Sequence, residues 1–142
     1  MLKYLTRNLS KSERRATERY MKQYRNLETI IESKEMNITE IQAVSFDDEP
    51  SKTNKFHSDT EMKALQRLDI ERYKDIKALL DMAYCSVNQR QKLIWDEHYI
   101  DGRFDIDVYY GHNIPKRTYY REKNELIRVV AECLRIGTNT HQ

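Results

Sequence analysis

An all-α chain is what three features of this sequence predict. Only three Gly and two Pro serve 142 residues, too little turn chemistry for a sandwich or barrel. Apolar residues recur at steps of three and four along several stretches, the spacing of an amphipathic helix. Ser10, Ser58 and Ser86 each stand three positions before a Glu or Gln, as in a capping box, where hydroxyl and carboxylate or amide each take a first-turn amide.

The first helix is expected from Ser10 or Ser12, with Glu13 completing the box. Tyr20, Tyr24, Leu27, Ile31, Ile38 and Ile41 then form a heptad-like stripe that Lys34 interrupts. Two readings fit that stripe: an amphipathic helix packing on its own domain, or a coiled coil joining two copies. Residues 44 to 59, VSFDDEPSKTNKFHSD, lose the periodicity and are rich in residues that compete with regular backbone hydrogen bonds. The expected organisation is a helical arm over 1–43, a polar linker over 44–59 and a helical domain over 60–142.

Within that domain, Ser58 and Glu61 open a helix whose apolar side would carry Met62, Leu65, Tyr73, Ile76, Leu79, Leu80 and Ala83. Ser86 and Gln89 restart a helix through SVNQRQKLIWDEHY, with Leu93, Ile94 and part of Trp95 facing inward, and Gly102 marks its stop. Asp105 can cap a brief helix, DIDVYYGH, with Val108 inside. Asn113 stands where a left-handed residue is wanted, and Pro115 suits a first helical turn. The last helix is expected to run to about Arg135.

Composition removes several function classes. The chain has 25 basic and 23 acidic residues, so nucleic-acid binding must rest on local clustering, not bulk charge. No apolar run approaches the ~20 residues that span a bilayer, and the opening MLKYLTRNLSKSERR has no secretory pattern. Two cysteines, Cys85 and Cys133, give no disulfide framework, suit a reducing cytoplasm and are expected to be buried packing residues. Cys85, His98, His112 and Cys133 are 13, 14 and 21 positions apart, which is no metal-ligand spacing. With no Gly-rich phosphate loop and no nucleophile beside a base, neither a cofactor nor an enzyme is expected.

The last helix sorts into two sides at about 100° per residue. Tyr119, Leu126, Ile127 and Val130 form the core side, with Cys133 and Leu134 at its edges. Opposite lie Arg117, Tyr120, Arg121, Asn124 and Arg128, with Lys116 flanking. From Pro115 onward six Lys and Arg face three Glu, a local balance of +3. A short helix, a tight turn and a second helix present the second helix's first turns outward, the part a major groove admits. Arg can read guanine and Asn adenine there, while Lys, Thr and Tyr anchor phosphates, Thr118 among them.

The run from Ser86 to Leu134 resembles a sigma-factor region 4 helix-turn-helix. SVNQRQKLIWDEHYIDG matches its first helix, ending in an aromatic residue and Gly. HNIPKRTYYREKNELIRVVAECL matches its turn and recognition helix, with Asn113 and Pro115 in place of the commoner Gly and Ser. The whole chain resembles the ArpU/RinA-type late transcriptional regulators of phages and prophages of Gram-positive bacteria. That resemblance implies an activator in the bacterial cytoplasm that binds promoter double-stranded DNA upstream of packaging and structural genes. RNA polymerase is a further expected partner, and self-association through the N-terminal helix another. Its DNA-reading positions here would be Lys116, Arg117, Thr118, Tyr120, Arg121 and Asn124; Arg128 joins them by sharing their face. The sequence departs from the pattern at DIDVYY, where small residues are usual: Tyr109 or Tyr110 would pack differently or reach DNA, and Asp105 and Asp107 would repel phosphate unless turned away. Two other classes fit the same features, a small-terminase-like packaging component and a module that binds polymerase or a sigma factor.

Overall fold

The computed structural model describes residues 8–47 and 53–136, and the side chains of 8–38 and 60–136. Every regular element among them is helical: α1 (Lys11–Gln23), a 3-10 turn (Tyr24–Asn26), α2 (Leu27–Asp47), α3 (Thr53–Ser86), α4 (Gln89–Ile94), α5 (Asp105–Gly111) and α6 (Lys116–Cys133). A π-helical turn, Trp95–Ile100, continues α4. The chain divides into two compact units, Met1–Arg25 with Ala78–Gln142, and Asn26–Lys77.

In the first unit α1 does not stand apart as an arm. It packs against α6 and the π-helical turn, burying Thr17 and Met21. The expected Ser10–Glu13 box is in place: the Ser10 hydroxyl accepts from the Glu13 amide, and Glu13 accepts from the Ser10 amide at 2.9 Å. Trp95, fully buried, is the centre of this packing. Its indole Nε1 donates to the Met21 carbonyl at 3.0 Å, which also accepts from the Tyr24 amide at the end of α1. The rings of Tyr24 and Tyr84 lie 5.1 and 5.3 Å from the Trp95 ring, and Tyr99 donates to Glu18 of α1 at 2.7 Å. Tyr99 is nearly buried, and that burial together with the Glu18 carboxylate holds its hydroxyl firmly protonated.

Three expectations move. The box at Ser86 gives way to one two residues later, where Asn88 Oδ1 accepts from the Gln91 amide at 2.8 Å and Gln91 returns the bond to the Asn88 amide at 3.1 Å. Asn caps as well as Ser, and its Nδ2 also reaches Glu122 of α6 at 3.0 Å, a bond that a serine hydroxyl is too short to add. Ser86 instead closes α3 by donating to the Ala83 carbonyl. The inner face of the following helix is Gln91, Ile94, Trp95 and Tyr99, with Leu93 half-exposed. Cys85 is exposed and Cys133 half-buried. Replacing Asn88 with Ala is expected to cost about 1–2 kcal/mol, read as a lower urea midpoint at unchanged slope.

The second unit pairs the helices α2 and α3. Ile31 and Ile38 meet Ile70, with Tyr73 packed alongside. Lys34 bonds Asp69 at 2.9 Å and Lys74 bonds Glu35 at 3.4 Å across the pair. Leu27, Ile31 and Ile38 of the heptad-like stripe are therefore buried within the chain, and the 3-10 turn at Tyr24–Asn26 interrupts the stripe. Ile41 lies outside the described side chains. Residues 44–47 and 53–59 of the expected linker are helical, so Ser58 falls inside α3 and not at a helix start. The stretch has no Gly, its single Pro50 falls between the two helices, and each polar residue costs a helix only tenths of a kcal/mol. Met62 and Leu65, expected inside, are exposed.

Candidate nucleic-acid interface

The arrangement of α5 and α6 grows from two consecutive chain reversals. Gly102, at φ 76°, ends the π-helical turn, and Arg103 bridges back to Glu97, which also takes His112 at 2.6 Å. α5 ends in a Schellman motif. Asn113 sits at φ 55°, its amide donates to Tyr110 and that of Ile114 to Tyr109, and Ile114 is buried after it. Asn tolerates that conformation where a branched residue would be strained. Pro115 then precedes α6 as its N-cap residue, with the first helical position at Lys116.

Asp105 is not the cap of α5. It is the first residue of that helix, and its carboxylate crosses to α6, accepting from Tyr119 Oη at 2.6 Å and from Lys123 Nζ at 2.9 and 3.0 Å. Tyr119 and Lys123 are one turn apart and both buried. His98 completes the cluster. Its Nδ1 lies 2.7 Å from the Arg103 carbonyl and its Nε2 3.3 Å from Lys123 Nζ, which fits a ring carrying its proton on Nδ1. Partial burial raises the Asp105 carboxyl, but the hydrogen bonds from Tyr119 and Lys123 and the lysine's charge more than reverse that and hold it below the usual range. Burial, then the same carboxylate, pushes the Tyr119 hydroxyl up. Asp105 is thus neutralised inside the fold and offers no bare charge to repel phosphate. Asp107 stays exposed.

On α6 the core side is as expected, with Tyr119, Leu126, Ile127 and Val130 fully buried and Lys123 and Ala131 joining them. Lys123 was not legible as an interior residue, because the Asp105 carboxylate that makes its burial tolerable is 18 positions away. Lys116, Arg117 and Arg121 are exposed over the first two turns, and Thr118 is half-buried beside them. No carboxylate among the described residues pairs with any of the three cations. They also crowd the positive end of the helix dipole, where cations are unfavourable. The amides of Lys116, Arg117 and Thr118 have no side-chain cap and no acceptor within the helix.

The remaining candidates are less free. Tyr120 is half-buried in a ring cluster, 5.3 Å from Tyr119 and 6.2 Å from Tyr109. Asn124 is half-buried, and Arg128 donates to Asn8 at 3.1 Å. Of the two tyrosines left open by the sequence, Tyr109 packs within this cluster, while Tyr110 stacks on it and remains largely exposed.

Among the described residues no cluster of His, Cys, Asp or Glu could hold a metal ion, and no helix is long and apolar enough to cross a membrane. No protein-family model, curated protein or solved structure matches the chain.

Proposed function

We propose that the chain is a sequence-specific, double-stranded DNA-binding transcriptional regulator of the phage late-gene kind that its sequence resembles. Its α6 enters the major groove. The observation that carries this reading is the set of three unpaired cations, Lys116, Arg117 and Arg121, on the first two turns of a helix held behind a short helix and a tight turn. Stability does not explain them, since they oppose the helix dipole and lack partners. A polyanion does. Arg117 and Arg121, four residues apart, project from one face and can take base edges, while Lys116, Thr118 and the uncapped amides suit phosphates. Asn124 and Arg128 continue the same face, Arg128 about 18 Å along the axis from Lys116 at 1.5 Å per residue.

The test is a titration against promoter fragments from the gene's own neighbourhood and against random duplex, at two salt concentrations. One fragment should bind at least ~10³-fold more tightly than random DNA. The slope of log affinity against log salt should be negative, by about 0.9 for each phosphate that a Lys or Arg of this face neutralises. Equal, weak binding to every duplex removes the reading and makes an acidic protein surface, such as one on polymerase, the next bait.

A further inference from the structure

Helix α3 presents a stripe that the fold leaves uncovered. Glu61, Leu65, Leu68 and Arg72 are all exposed, Leu65 at 66% and Leu68 at 67%. Their spacing of four, three and four places them within about 60° of one another on the helix, along some 16 Å of its length. The stripe is palindromic in both spacing and chemistry: acid, leucine, leucine, base. Its own reverse is its complement.

From that symmetry we infer that α3 pairs antiparallel with α3 of a second copy, about a two-fold axis passing between Gln66 and Arg67. The axis sets Leu65 against the partner's Leu68, and Leu68 against the partner's Leu65. It also sets Glu61 opposite the partner's Arg72, and Arg72 opposite the partner's Glu61. A two-fold contact repeats every interaction twice, so one stripe supplies two leucine contacts and two ion pairs. A parallel pairing would oppose Glu to Glu and Arg to Arg.

Among the described residues of the unit Asn26–Lys77, Ile31, Ile38 and Ile70 form a buried cluster with Tyr73 half-buried beside it, and Leu27 is buried as well, whereas Leu65 and Leu68 are not. The expected stripe on the preceding helix cannot serve, because Leu27, Ile31 and Ile38 are already buried. This inference stands apart from the DNA-binding reading, since it uses neither α6 nor its cations.

Sedimentation of the full chain up to about 0.5 mM, above the range of weak but specific dimers, tests it. The wild type should be a reversible dimer. Glu61→Arg and Arg72→Glu should each weaken the dimer by ~10-fold or more, because each turns two ion pairs into two like-charge contacts. Mixed in equal amounts, the two variants should recover wild-type affinity as a heterodimer, since every pair is again opposite in sign. Leu65→Asp should abolish dimerisation while helix content by circular dichroism stays at the wild-type level. A wild-type monomer at every concentration overturns the inference. So does a dimer indifferent to these changes, or capture of a different protein by the stripe without self-association.

Discussion

Asp105→Ala is expected to lower the stability of the unit that contains α5 and α6 by about 2–3 kcal/mol at neutral pH. The lower end allows for an Asp105 side chain that keeps 23% of its exposure. Among the described residues the carboxylate is the one acceptor that Tyr119 Oη and Lys123 Nζ share. Its loss leaves a buried ammonium facing a histidine nitrogen, and the desolvation of that ammonium is the larger part of the cost. Trp95 is the one tryptophan and lies in the same unit, so its fluorescence follows this unfolding. For a unit of this size a fall in midpoint of roughly 10–16 °C corresponds to the expected change.

The pH dependence follows from the same bonds. In the folded chain the Asp105 carboxyl binds its proton more weakly than in the unfolded chain, whose ordinary value is 3.8. As pH falls the unfolded state takes up the proton first, so the contribution is complete above that value and is lost as pH drops through the folded one. The stability gap between wild type and Asp105→Ala should therefore be constant from pH 5 to 7 and close as pH falls below about 4. Asp105→Asn, which keeps the shape and removes the charge, should show the same closing gap with a smaller loss. A gap that stays open at low pH would mean that packing, not the charge, holds α5 to α6.

Local chemistry was legible in the sequence, and long-range chemistry was not. The Ser10 box, the stop at Gly102, the left-handed Asn113 and the inward Val108 each depend on residues within a few positions of one another, and all are present. So is the Tyr119, Leu126, Ile127 and Val130 face, which one helical period determines. The box expected at Ser86 and Gln89 forms instead at Asn88 and Gln91, where Asn88 also reaches Glu122, 34 positions away, a contact with no local signal. Leu65 was misplaced for a related reason. Apolar periodicity says which residues share a face, but which faces are covered depends on α2, whose Ile31 and Ile38 meet Ile70. The interior position of Lys123 had no local signal at all. Its partners are Asp105 and His98, one before and one after the bend at Gly102.

Charge reversal on the exposed face of α6 should have the largest functional effect. Arg117→Glu or Arg121→Glu is expected to weaken binding to the preferred fragment by ~10²–10³-fold, since each loses a base or phosphate contact and sets a carboxylate against the backbone. Neither arginine has a partner among the described residues, so the free energy of unfolding should hold within about 0.5 kcal/mol. Arg117→Glu also places an acid at the N-terminal end of a helix, where the dipole favours it, and should if anything stabilise α6 slightly. That opposition separates the two accounts of these residues. If they serve the fold, reversal costs stability; if they serve DNA, reversal preserves stability and removes binding. Arg128→Glu provides the internal comparison. Arg128 already bonds Asn8 and lies two to three turns further along, so its reversal should cost less affinity than either N-terminal arginine. Equal losses at all three positions would point to a diffuse electrostatic contact, and the assignment of the first two turns as the reading end would fail.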